Sequence, residues 1–265
     1  MVVTSLARRA TGALIRSLLA PPCASCDRAL PRPLHSLICD ACWSSIAPIN
    51  QPWCERCGDA LSTFANRYGG LLCDRCRARP PSFEVARSAG RYEGALRDLL
   101  HAFKYRGRRA LAQPLGAWLR AAGASVLNDA DVVVPVPLHP WRRLWRGFNQ
   151  ADDLARELGL PVWRGLRRTR HGPPQANLPA SRRDANVRAA FAARSPPSPH
   201  LIVVLIDDVM TTGATMDECG RALREAGVAS VRALTVARAA AAPPRAPPPR
   251  RHLSIAPRSP GPSDV

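Results

Sequence analysis

The sequence is short of acids: 20 Asp+Glu stand against 38 Lys+Arg in 265 residues, a formal charge of +18. That imbalance excludes a neutral surface and favours polyanionic partners: nucleic acid, phosphorylated metabolites or acidic lipid. Long hydrophobic runs are also missing. No segment approaches the roughly 18 uncharged apolar residues that span a bilayer, so a transmembrane helix is excluded and the chain reads as soluble. An export signal is missing too, because Arg16 interrupts the first apolar stretch and Pro22 stands where a small residue should precede a lipidated Cys23. Neither GxxxxGK[ST] nor GxGxxG occurs, which excludes a Walker loop and a dinucleotide fingerprint. What the chain does have is 46% apolar residues, enough to build a core in one large domain or a modest pair.

Composition divides the chain into four parts: a leader over 1–22, a cysteine-rich segment over 23–81, an α/β pattern over 82–238 and a Pro/Arg-rich tail over 239–265. In the leader, Val3, Leu6, Ala10, Leu14 and Leu18 recur every three or four residues, which predicts an amphipathic helix. It either docks on the rest of the protein or lies on an anionic membrane surface as a peripheral contact. The tail interleaves Pro243, Pro244, Pro247, Pro248 and Pro249 with arginines and is expected to be disordered.

The third part alternates strand and helix patterns. A strand or hairpin over 82–92 precedes a helix whose face carries Leu96, Leu99, Leu100 and Phe103, and a second helix follows through Leu111, Leu115, Trp118 and Leu119. A short strand over 131–136 enters a turn, after which Asn149 caps a helix closed by Gly159. The segment 201–206 is apolar on both faces, as a central parallel strand is, and a helix to about residue 226 and a strand over 230–236 complete the pattern. The fold class expected is α/β, a doubly wound parallel sheet with its ligand at the carboxyl ends of the strands.

Eight of the nine cysteines form four CxxC pairs, Cys23/Cys26, Cys39/Cys42, Cys54/Cys57 and Cys73/Cys76, separated by 12, 11 and 15 residues. Two such knuckles close a tetrahedral thiolate shell around one Zn²⁺, so consecutive pairing predicts two structural zinc sites. The spacing also allows an interleaved pairing. A disulfide scaffold is the competing reading, disfavoured by the missing export signal. With eight zinc thiolates and two Zn²⁺ the formal charge falls only from +18 to +14, and the chain stays basic. Cys219 stands alone, most simply as a small buried hydrophobe.

The string from Val203 to Thr215, VVLIDDVMTTGAT, is the most specific in the chain. Thr211, Thr212, Gly213, Ala214 and Thr215 can wrap amides and hydroxyls around a phosphate at a helix N-terminus. Two carboxylates beside a phosphate suit neutral hydroxyls or a divalent cation, so Asp207 and Asp208 point to a sugar diol with Mg²⁺ nearby. The string resembles the 5-phosphoribosyl 1-pyrophosphate (PRPP) motif of type I phosphoribosyltransferases. That resemblance implies that Asp207 and Asp208 contact the ribose hydroxyls and that residues 211–215 hold the 5′-phosphate.

A second region, 137–150, falls where that fold places its pyrophosphate loop, and its Arg142, Arg143 and Arg146 have the charge and fork geometry for a diphosphate. The same segment interleaves arginines with Trp141, Trp145 and Phe148, which also suits stacking on single-stranded bases. Residues 175–191 correspond to the hood that closes over PRPP in the fold. Together with the paired zinc ribbon and the Phe103-Lys104-Tyr105-Arg106-Gly107 segment, these features resemble the ComF/GntX family over about residues 14–238. The resemblance implies a double zinc ribbon joined to a type I phosphoribosyltransferase-like domain, with PRPP·Mg²⁺ as ligand and a role in natural competence through single-stranded DNA and competence or DNA-uptake proteins. A phosphoribosyltransferase of unknown acceptor and a PRPP-sensing regulator without turnover are the alternatives. Cytoplasmic placement is expected by exclusion, from the missing export signal and the reduced, metal-bound thiols.

Overall fold

A computed structural model describes residues 21–31, 36–61, 71–169, 190–196, 198 and 200–239. The expected leader helix, the greater part of the hood and the tail lie outside the described residues. The elements in chain order are α1 (Asp40–Ser44), α2 (Asp74–Ala78), β1 (Val85–Arg91), α3 (Gly94–Tyr105), a 3₁₀ turn (Arg109–Leu111), α4 (Ala112–Ala122), α5 (Ala124–Leu127), β2 (Val132–Pro135), α6 (Pro140–Arg146), α7 (Gln150–Arg156), β3 (Leu166–Arg168), β4 (Phe191–Ala193), β5 (Ile202–Met210), α8 (Ala214–Glu225) and β6 (Ser230–Arg238).

Four strands form one parallel sheet in the order β1-β6-β5-β2, and β3 pairs antiparallel with β4 in a separate ribbon. The sheet is the doubly wound architecture that the run of two-sided apolar strands predicts. Along β5 the side chains alternate between two cores. Val204 and Ile206 join Leu96, Leu99, Leu115, Leu119 and Leu154 on the face covered by α3, α4 and α7. Val203 and Leu205 join Met216, Cys219 and Leu223 on the face covered by α8. Cys219 is fully buried, and burial pushes its thiol well above the ordinary range, as an inert core residue requires.

Three differences from the sequence expectations matter for the site. β5 runs on through Asp207 and Asp208 to Met210, paired to β6 up to Met210↔Arg238, so the acids sit in the strand and not in the turn after it. Residues 140–146 are helical, with Pro140 at the start, where a missing N–H costs nothing. Phe148 is 8% exposed and packs against Phe103 beneath the Arg109 guanidinium, so it is core and not a surface for bases. Asn149 caps α7 as expected, its side chain accepting from the Ala151 N–H.

The cysteine-rich segment is welded to this sheet. Cys23, Ala24 and Ile38 belong to the α3/α4 core, and Trp43 meets Trp118 edge-on at 6.0 Å. Cys54, Cys57 and Cys76 belong to the α8 core. The outer edge of β1 is also covered: its Arg91 N–H donates to Ala47 O at 2.9 Å and its Ala86 N–H to Arg56 O at 2.6 Å, while its Ala89 carbonyl accepts from the Ile49 N–H at 3.3 Å. An otherwise unpaired strand edge is thus removed from solvent.

Candidate functional site

The eight paired cysteines come together as two tetrads, Cys23/Cys26/Cys39/Cys42 and Cys54/Cys57/Cys73/Cys76, with all ligand atoms of each set within 4.8 Å of one another. The consecutive pairing is the one formed. Each tetrad is built the same way. The first pair lies in a knuckle whose next residue has positive φ, Asp27 at 57° and Gly58 at 69°, and the second pair sits at the start of α1 or α2 with Cys39 or Cys73 as N-cap. Sγ separations of 3.8 Å for Cys26–Cys39 and 3.7 Å for Cys57–Cys73 match the edge of a tetrahedron with Zn–S bonds of about 2.3 Å. All nine cysteines are free of disulfides. Four sulfur ligands leave no open position, so the donor sets fit structural zinc.

A cleft of about 340 Å³ opens at the carboxyl ends of β2 and β5, where the chain turns toward α7 on one face and α8 on the other. This is the crevice in which open α/β sheets bind ligands. Asp207, Asp208, Thr211, Gly213 and Thr215 line it from β5 and the following loop, Arg146 from α6, Lys104 and Tyr105 from α3, and Arg168 from β3. Thr212 and Ala214 lie on the other side of the loop, facing the second zinc ribbon, and Thr212 Oγ1 accepts from the Ala214 N–H. Gly213 has φ of 84° and caps α8, a left-handed turn that a Cβ would strain. The side chains of Arg142 and Arg143 lie outside the described residues.

The electrostatics centre on Asp208, which is 7% exposed and takes an ion pair from Lys104 Nζ at 2.9 Å. Burial works against the Lys104 ammonium, but Asp208 and then Asp207 more than offset it and hold the group above the ordinary lysine range. Asp207 accepts the Asp208 backbone N–H at 2.8 Å. Burial, reinforced by the adjoining Asp208 charge, raises its carboxyl to about 7. Across the cleft Arg146 lies 4.6 Å over the Tyr105 ring, donates to Tyr105 Oη at 2.8 Å and reaches Gln150 Oε1 at 3.2 Å. Its Nε is buried with no hydrogen-bond partner among the described residues.

Lys104 and Tyr105 received no role from the sequence. A signal was present: Lys104 stands four residues after Leu100, on the edge of the buried face of α3, where a solvated lysine is out of place. Tyr105 gave no such sign, since its partner Arg146 is 41 residues away.

Fold and site define a class: a phosphoribosyltransferase-type α/β domain bearing two cysteine-ligated ribbons. Residues 14–80 match the double zinc ribbon domain family, and residues 144–253 match the phosphoribosyl transferase domain family. Competence protein F of Haemophilus influenzae is 32% identical over 214 residues, covering 76% of this chain and 90% of that one. DNA utilization protein YhgH of Escherichia coli K12 is 31% identical over 208 residues, 74% of this chain and 88% of the relative. Competence protein ComFC of Bacillus subtilis is 28% identical over 209 residues, 76% of this chain and 84% of the relative. The chain belongs to the competence protein F family.

Proposed function

We propose that the protein binds PRPP in the cleft at the ends of β2 and β5 and serves DNA uptake by handling single-stranded DNA in the cytoplasm. The observation that carries the reading is the cleft itself: two strand-borne acids and a Thr/Gly loop opening α8 on one side, Arg146 on the other. The chemistry fits a phosphorylated pentose. Asp208 is committed to Lys104, and Asp207 holds a proton for much of the time near neutrality, so the pair is poor at gripping a bare cation and well suited to sugar hydroxyls. Mg²⁺ then travels on the ligand's own phosphates. Thr211, Gly213 and Thr215, the part of the loop that lines the cleft, would take the 5′-phosphate through amides and hydroxyls. Arg146, with a buried Nε awaiting an acceptor, would take the diphosphate, joined by Arg142 and Arg143. The names of the relatives, competence protein F and DNA utilization protein, support the DNA half, as does the charge of +18.

Isothermal calorimetry with PRPP and Mg²⁺ tests the pocket. Asp207→Asn combined with Asp208→Asn should abolish binding while zinc content stays at wild-type level, and unchanged affinity removes the assignment. Whether the bound PRPP is turned over is read from pyrophosphate release against a panel of bases and amines; turnover makes the protein a transferase, and its absence a sensor.

A further inference from the structure

Helix α6 turns large side chains outward: Trp141 is 73% exposed, Leu144 77% and Trp145 77%. They stand at i, i+3 and i+4, one face of the helix, with no cover among the described residues. Burying a large apolar side chain is worth far more than exposing it, so two tryptophans and a leucine on one face mark a surface made to be covered. The face continues onto α3. The Trp145 ring lies 6.3 Å from Tyr105, which is 47% exposed, and Tyr105 lies 4.7 Å from His101. Arg146 sits over Tyr105 at 4.6 Å. The result is a row of rings with a guanidinium set into it, running past the mouth of the cleft that Tyr105 and Arg146 also line.

The chemistry around the row selects its occupant. Residues 132–151 hold no Asp or Glu, while α6 alone carries three arginines. An aliphatic partner helix would want a continuous apolar groove; exposed rings beside a guanidinium, on a segment rich in arginine and free of acids, are what stacked bases on a phosphate backbone require. We propose that single-stranded DNA lies on this row, its bases stacked on Trp141 and Trp145 and its backbone beside the Arg146 that covers Tyr105, and that it shares Arg146 with the phosphoribosyl cleft, so that each ligand weakens the other. The inference rests on the function proposed above. The opposition follows from charge, because a diphosphate at Arg146 removes a cation from the strand and sets a second anion beside it.

Fluorescence anisotropy of a labelled oligothymidylate at fixed salt, with the wild-type chain and with Trp141→Ala/Trp145→Ala, reads the seat directly. Loss of two stacking rings should weaken the strand by at least about tenfold, with PRPP affinity and melting temperature unchanged. Saturating PRPP should weaken wild-type strand binding severalfold. Wild-type chain that binds no strand at all overturns the DNA half of the proposed function and this inference with it. Normal strand affinity in the double variant overturns the seat while leaving that function standing, as does loss of binding to phosphatidylglycerol vesicles in its place. A clear fall in melting temperature shows the row to be covered by the chain's own segments and also overturns the seat. Strand affinity unchanged or raised by PRPP overturns the shared Arg146.

Discussion

Replacing Lys104 with Met keeps the side-chain stem and deletes the charge. Asp208, 7% exposed, would then carry an uncompensated charge next to Asp207. Removing one partner of a buried pair costs about 3–5 kcal/mol. The side chains here are 16% and 10% exposed, so some solvent reaches the pair and the lower end, about 3 kcal/mol, applies. At about 2–4 °C per kcal/mol for a protein of this size, the melting temperature should fall by about 6–12 °C. Adding Asp208→Asn neutralises the stranded charge with a side chain of the same shape, and should return most of the loss. Scanning calorimetry at slightly alkaline pH, above the value of about 7 at which Asp207 titrates, gives the comparison. A single variant melting within about 2 °C of wild type, or a double variant no better than the single one, refutes the view that the ion pair holds α3 to β5.

Three further outcomes follow from the same structure. Asp207 titrates at about 7 in the folded chain against 3.8 when free, so its protonated form contributes stability that is complete below 3.8 and lost as pH rises to about 7; between about pH 5 and 7 the wild type should lose stability relative to Asp207→Asn in urea titrations, and parallel curves over that range would refute the shift. Gly58→Ala places a Cβ 2.6 Å from the Ala86 carbonyl oxygen at a φ of +69°, so the second ribbon should lift from β1 and the Ala86 amide, now bonded to Arg56 O, should exchange faster with deuterium. Elemental analysis should find two zinc ions per chain and one after Cys26→Ser, and chelation should lower the main melting transition itself because the ribbons share the cores of the sheet.

Much of this protein could be read along the chain because the relevant physics acts over a few residues. Ligand spacing alone fixes the four CxxC knuckles, since two thiolates three residues apart are what one Zn²⁺ accepts from a tight turn. Continuous apolar character over 201–206 marks a strand buried on both faces, and the Thr/Gly string after it marks the turn that opens α8 with Gly213 as its cap. Folding decided the rest. β5 extends through both acids because β6 supplies hydrogen-bond partners as far as Arg238, a pairing no local window contains. Phe148 went into the core because Phe103 and Arg109 came to it from α3 and the turn after it, leaving Trp141 and Trp145 outside. Lys104 became part of the cleft through a partner 104 positions away, and Tyr105 through one 41 positions away. A charge on a sequence names no counter-charge; only the packing of α3 across the ends of β2 and β5 brings those groups within reach and removes the water that would otherwise screen them.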